Sequence, residues 1–411
     1  MKKIFAMVLA LCLMLSCTAA LAEKQTVKLV TWGGGEAYRL STEEFNRRQD
    51  EIEFVIEVVS NIDEYLSARI AANDLPEMYN IAPYANVYES AAAGRLADLT
   101  GTEAASRLLD STKSCVSVDG KIYAMPYQQQ IVGCFYNPAL FEQAGIEKVP
   151  TTYSEMVEVC EKLTAAGIVP FAATYASSWT LSHLATTLLT SALGDDYQSW
   201  VAGIAAGESY ANTPNVDEIF RFMDLLKQYS GEKYMDATSE NGVNDFASGK
   251  AAILLQGDWS LETVNQVDPS MNPGLFAVPA SDDASRNKLA VDVSVAIAVN
   301  AGLSEEKMAA VEKVLDYMYD TADATGHNSI CFTFAGAGVP SVAYKSEVLD
   351  GFRYYTDYLS YAESGNVSPW IYQQLPTGTN LGDTLQGYMA DLMTKEEVLQ
   401  KLDADNEALT F

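Results

Sequence analysis

The residues of this chain that could do chemistry are few in type. Its two histidines, His183 and His327, lack metal-ligand spacing to each other. No G-x-S-x-G elbow surrounds a serine, although chain order alone does not exclude a Ser-His-Asp arrangement. Neither G-x-x-x-x-G-K-[ST] nor G-x-G-x-x-G occurs. Gly33-Gly34-Gly35 has no Lys-Ser/Thr after it and reads as a flexible turn that lets a ligand approach the backbone. Paired carboxylates would suit glycoside hydrolysis. With 55 acidic residues, however, no pair stands out.

Aromatic residues at the ends of elements are the more informative pattern. Trp32 closes a β-rich run, Trp179 follows Ser177-Ser178, Trp259 follows Gly257-Asp258, and Trp370 follows Pro369. Tyr84 and Tyr127 sit beside Pro83 and Pro126. A sugar ring offers flat faces of C–H bonds that suit an indole plane, while its hydroxyls need carboxylates and amides. Any single tryptophan is more often core than platform. Spacing does not decide which of these converge.

The elements that must position them alternate at first. Thr26 to Trp32 reads as a strand, Tyr38 to Arg48 as a helix capped by Ser41 or Thr42, and Glu53 to Val59 as a strand. Residues 63 to 73 then read as a helix and Met78 to Ala82 as a short strand, so an α/β layer with a largely parallel sheet is expected. Amphipathic helices follow at Tyr153 to Gly167, Leu181 to Leu193 and Val216 to Tyr229. Strands are expected at Ala251 to Leu255, Gly274 to Pro279 and Leu289 to Val299, and a helix at Glu305 to Tyr319. From Asp383 onward the pattern is paired helices, the second capped by Thr394 through Glu397.

At 411 residues, 48% apolar and 20% charged, the chain can bury two cores of ordinary size. Its start reads as an export signal. Lys2 and Lys3 precede the apolar run Ile4 to Leu15, and Ala20-Leu21-Ala22 supplies the cleavage site. That run falls short of the ~20 residues a membrane span needs. Leu15-Ser16-Cys17 also resembles a lipobox that would lipidate Cys17, with Met14 where such motifs usually carry Leu. Cleavage after Ala22 is the favoured reading, and both outcomes put the mature protein outside the cytoplasm. Removing residues 1–22 removes two lysines and no acids, leaving 24 − 55 = −31. Such an anion repels nucleic acid. Cys115, Cys134, Cys160 and Cys331 remain without a C-x-x-C pair, and buried free thiols are expected although export permits a disulfide.

The chain resembles the family-1 extracellular solute-binding proteins of bacterial ABC importers, the group that includes maltose-binding protein. Lys28-Leu29-Val30-Thr31-Trp32 with Glu36 resembles that family's first strand and binding loop. Asn73-Asp74-Leu75-Pro76-Glu77 resembles its G-x-LPD segment, departing at Asn73 and Glu77, and Gly94-Arg95-Leu96-Ala97-Asp98-Leu99 its G-x-L-x-DL. Asp119-Gly120-Lys121-Ile122-Tyr123-Ala124-Met125-Pro126, followed by Tyr136-Asn137 and Leu140-Phe141 to Gly145, resembles DGK-x-YALP … YN-x-x-LF-x-x-AG. Phe246 to Ala252 with Gly257-Asp258-Trp259 resembles F-x-x-GKAA … GDW, and Ala337 to Ser341 the last crossover. Each match is weak alone, whereas the ordered set is specific.

The resemblance implies an α/β, two-lobed periplasmic-binding-protein-like (type II) fold with about three interlobe crossovers. One lobe would hold 24–128 and 281–335, the other 132–280 and 340–411. The crossovers would fall near Gln128 to Ile131, Leu275 to Ala280 and Gly336 to Pro340. It also implies hinged closure on a mono- or oligosaccharide and delivery to ABC transporter permease subunits, with no cofactor, no catalysis and no partner copy. Trp259 would stack on the sugar, Trp179 would flank it, and Glu36 would accept its hydroxyls. Asp258, Tyr84, Tyr127, Gln128 and Trp370 complete the expected site. A polyamine or other small solute, a secreted glycoside hydrolase and a polymer-binding adhesin are the alternatives.

Overall fold

The computed structural model describes residues 24–32, 36–321, 339–342, 349–370, 374–375 and 381–409. Residues 1–22, expected to be an export signal, with Cys17 among them, and His327 and Cys331 lie outside the described residues.

Three strands open the fold: β1 (Gln25–Thr31), β2 (Ile52–Val58) and β3 (Met78–Ile81), with β1 pairing both neighbours in parallel. The helices between them follow the apolar pattern. The helix Ile62–Ala72 is capped by Asn61, whose side chain accepts from Glu64 N, and it stops at Asn73 with φ 52°. A left-handed residue after the last turn is a common helix stop, and asparagine tolerates it. Ser41 and Thr42, expected as caps, instead lie inside the helix Glu36–Arg48. Thr42 Oγ1 donates back to the Tyr38 and Arg39 carbonyls, each at 2.9 Å. The helix begins at Glu36, before the Tyr38 start that the apolar pattern indicates, because Glu36 and Ala37 add no large apolar side chain to that pattern.

The remaining strands of this sheet are β4 (Ala124–Tyr136), β5 (Val169–Phe171), β6 (Ala251–Gly257), β7 (Gly274–Phe276), β8 (Leu289–Val299), β9 (Val339–Pro340) and β10 (Val367–Ser368). They run in the order β2-β1-β3-β8-β4-β6-β5, with β7 and β9 also on β4 and β10 on β8. The sheet is therefore mixed: parallel at its first end, antiparallel through β3, β8, β4 and β6. Near the end of the chain, Glu397 N bonds to Thr394 Oγ1 at 3.2 Å and Thr394 N to Glu397 Oε2 at 2.8 Å, the reciprocal cap read from the sequence.

Two strands serve both halves of the molecule. The first hydrophobic cluster holds Val27, Leu29, Met125 and Tyr127 together with Val293, Ile297 and Val314. Two further large clusters hold Cys134, Phe171 and Phe222, and Ile131, Phe135 and Tyr354, and a small fourth holds Val132, Ala290 and Trp370. β4 leaves the first cluster after Tyr127 and joins the others at Ile131; β8 returns between Leu289 and Val293.

Two expected boundaries differ. Leu275–Ala280 is not a passage, since Phe276, Val278 and Ala280 pack in the cluster of Phe171 and Phe222. Residues 281–288 bond there too. Tyr153 N donates to Ser281 O at 3.0 Å, Asn287 Nδ2 to Thr151 O at 2.8 Å, and Arg286 Nη2 to both Glu218 carboxylate oxygens at 2.6 and 2.8 Å. A polar loop shows no apolar pattern to reveal its attachment; its anchoring is all hydrogen bonds. Ser341 and Val342, expected beyond the last passage, belong with the first cluster. Ser341 Oγ donates to Pro126 O at 2.7 Å, and Val342 bridges Leu108.

Candidate functional site

An aromatic group is built from three separate elements. The helix Ser178–Leu193 carries Trp179 and His183 one turn apart, so both fall on one face. Their rings are 5.0 Å apart and near perpendicular. Trp259 sits in the short turn Asp258–Ser260 that closes β6. Its ring lies 6.4 Å from Trp179 and 5.4 Å from His183. Trp370, just past β10, is 4.6 Å from His183 and 6.2 Å from Trp259. Gly257 makes this possible: a Cβ there would stand 2.0 Å from the Trp259 ring, which folds back over the strand end.

Exposure separates the roles. Trp179 is 40% exposed and Trp259 partly so, while Trp370 is buried at 1%. The Trp370 indole donates to Thr186 Oγ1 at 3.0 Å. Trp370, expected as a ligand contact, therefore holds Trp259 in place and offers no face of its own. His183 is wedged among the three indoles, and burial pulls it down to about 3. It is neutral throughout the physiological range and unsuited to act as a base near pH 7.

The other expected residues scatter more. Asp258 is fully buried, and its charge acts on Tyr354 and Tyr358. It belongs to the packing under the turn and does not reach an open face. Tyr127 is buried in the first cluster and stacks on Tyr38 at 5.5 Å, 12° between planes. Glu36 is the first residue of its helix and Gln128 lies in β4; their side chains lie outside the described residues. Trp32, 39% exposed, lines a cavity of about 690 Å³ with Asn80, Asp63 and Arg95.

A second cavity of about 690 Å³ takes walls from both halves. Tyr84 and Leu109 come from the first, Tyr197, Tyr358 and Pro369 from the other, and Asp292 of β8 sits between them. Volumes of this order suit small-molecule sites. Tyr84 Oη donates to Asp292 Oδ2 at 2.8 Å. Burial pushes the Asp292 carboxyl up to about 7, against the bonds from Tyr84, Val293 N and Trp370 N that favour its charged form. The sequence reading missed Asp292. A lone acid in the apolar run Leu289–Val299 was the available signal, since a buried carboxylate needs a reason.

A mixed sheet whose two longest antiparallel strands are shared between two cored halves, with a cavity lined from each, defines a two-lobed binding protein. Residues 32–325 match the family described as bacterial extracellular solute-binding protein, and the chain belongs to that family. The multiple sugar-binding protein of Streptococcus mutans is 27% identical over 292 residues, covering 67% of this chain and 66% of that one. The chain thus spans just under two thirds of that relative's length. A chitin oligosaccharide binding protein superposes with a TM-score of 0.80 at 21% identity, covering 95% of this chain and all of that one. RafE in complex with raffinose does so at 0.76 and 20% identity, covering 94% of this chain and 100% of that one. These likenesses establish the type II solute-binding fold. Among the described residues no helix is long and apolar enough to cross a membrane.

Proposed function

We propose that this protein captures a mono- or oligosaccharide outside the cytoplasm and hands it to the permease of an ABC importer. The observation that carries the reading is the pair Trp179 and Trp259, two partly exposed indoles 6.4 Å apart on the half of the molecule reached through β4 and β8. Indole faces of this kind match the C–H faces of pyranose rings. The sugar-binding relative and the raffinose-bound neighbour support the same ligand class.

The lobes follow the hydrophobic clusters, and bending of β4 and β8 between them lets the halves close. Glu36 and Gln128, at the first-lobe margin and on the shared strand, supply polar groups to sugar hydroxyls. Each bond to a carboxylate is worth about 1.5–3 kcal/mol. Contacts made only when both lobes meet shift the population towards the closed form, which the permease recognises. The protein acts as a monomer and turns nothing over.

A thermal-shift screen of mono- and oligosaccharides, with polyamines alongside, tests this. A sugar at a hundredfold excess over its Kd stabilises the folded state by about 2.7 kcal/mol. The expected result is stabilisation by at least one carbohydrate that is lost in Trp259→Ala. Stabilisation by polyamines alone, or turnover of chromogenic glycosides, overturns the reading.

A further inference from the structure

Asp292 is the fourth residue of β8, in a run that is otherwise almost wholly apolar, and is 8% exposed. Burying an ionised carboxylate costs several kcal/mol unless donors replace its water. Three donors offset part of that cost, and they come from three regions of the fold. Tyr84 Oη, at the entry to the first-half helix Ala85–Ala92, reaches Oδ2 at 2.8 Å. Val293 N, on β8 itself, reaches Oδ1 at 2.7 Å. The backbone N–H of Trp370 bonds the carboxylate from the other half, and that residue's ring packs 6.2 Å from Trp259.

The position along β8 matters. On this edge β3 pairs with β8 over Ala296–Val299, and β10 pairs with it at Leu289 and Ala290. The stretch between therefore borders the cavity that Tyr84 and Asp292 line. On its other edge the β4 ladder shifts register between Val293 and Val295 and again between Val295 and Ala296. Such irregularities are where a strand pair bends most readily. Tyr84 is itself held at φ 60°, ψ −117°, a conformation that costs a non-glycine residue energy and persists only when its surroundings enforce it.

The geometry points to Asp292 as a positioning residue: a carboxylate latch that ties the first lobe, through Tyr84, to the indole group of the second, through Trp370, so that protonating it loosens the latch and weakens ligand binding. This rests on the binding function proposed above. Ionised, the carboxylate only accepts, and all three partners are served. Protonated, it loses the charge that makes such bonds roughly twice as strong as neutral ones.

Among the groups that face it, Tyr84, Tyr88 and Cys115 on the first-half side and Tyr358 on the other are all pushed up by burial. The Tyr197 phenol also lines the cavity from the other half. No lysine, arginine or histidine lines the cavity among the described residues. With Asp292 pushed up to about 7, the charge there changes close to neutrality.

Two consequences run in opposite directions, which separates a latch from a merely structural acid. The folded state holds the Asp292 proton more tightly than the unfolded chain, so this group's contribution to stability grows as pH falls through about 7 towards the ordinary carboxylate range. Affinity should fall over the same interval. The test is calorimetric titration of the mature protein with raffinose at pH 8, 7 and 6, beside Asp292→Asn and Tyr84→Phe. Expected is a wild-type Kd that rises as pH falls, by at most about tenfold per pH unit for one linked proton, with a flat profile in Asp292→Asn. Tyr84→Phe should bind more weakly at pH 8 and show a shallower profile. A wild-type Kd unchanged between pH 8 and 6, or a wild-type profile retained by Asp292→Asn, overturns the latch. If raffinose does not bind at all, small-angle scattering of the ligand-free protein decides. A radius of gyration that changes near pH 7 in wild type and not in Asp292→Asn supports the latch without a sugar; no change in wild type overturns it.

Discussion

The Trp370 indole N–H donates to Thr186 Oγ1 at 3.0 Å, joining the segment after β10 to the helix that carries Trp179 and His183. That bond fixes a buried ring packed with Val132 and Ala290 of the two shared strands and against Trp259.

Trp370→Ala should therefore cost stability. Emptying a fully buried tryptophan site costs about 3–5 kcal/mol. Thr186→Val should cost about 1–3 kcal/mol, because it leaves the indole N–H without its acceptor. Denaturant unfolding measures both, and a loss below 1 kcal/mol in Trp370→Ala would mean the ring is not packed as described.

Trp259→Ala should leave the fold intact, since that ring is only partly buried, and weaken sugar binding by about tenfold or more, equivalent to about 1.4 kcal/mol. Gly257→Ala should mimic it. The new Cβ, 2.0 Å from the present ring position, must push the indole out of its place. Isothermal titration against the best sugar of the screen, with circular dichroism as the folding control, checks the pair.

His183 should stay neutral in the folded protein down to about pH 3. Its folded value lies below its unfolded one, so the unfolded chain takes up the proton first. Stability from this group is complete above about pH 6.5 and declines as pH falls below it, opposite in sign to the Asp292 contribution. Imidazole chemical shifts followed by pH titration report the ionisation directly, and His183→Gln should flatten the stability profile below pH 6.

Glu218→Ala leaves the half-buried Arg286 guanidinium without the carboxylate it contacts through two oxygens. A loss of about 1–3 kcal/mol is expected. It should appear in the unfolding of the second lobe, because residues 281–288 are anchored there. Hydrogen exchange that loosens the first lobe instead would reverse that assignment.

Much of the fold was legible locally. The helix Val216–Tyr229 and the strand Leu289–Val299 have the bounds their patterns indicate, and the Thr394 cap forms with Glu397 as its spacing requires. Periodicity and capping depend on neighbours within a few residues, and a sequence displays those directly. The polar segment Ser281–Lys288 was placed wrongly for the converse reason. Its partners Thr151, Tyr153 and Glu218 lie dozens of residues away.

By itself the sequence determined the alternation of elements, the ordered family motifs, and the aromatics at element ends. Only the tertiary structure decided which of these meet. Trp179, Trp259 and Trp370 converge because Ser178–Leu193, β6 and the segment after β10 pack around the shared strands, whereas Asp258 and Tyr127 are drawn into the packing. Asp292 gained its place the same way, from donors 208 residues before it on Tyr84 and from the backbone of Trp370 after it. Contacts of that range form by closing long loops, and no local pattern in the chain encodes which ends will meet.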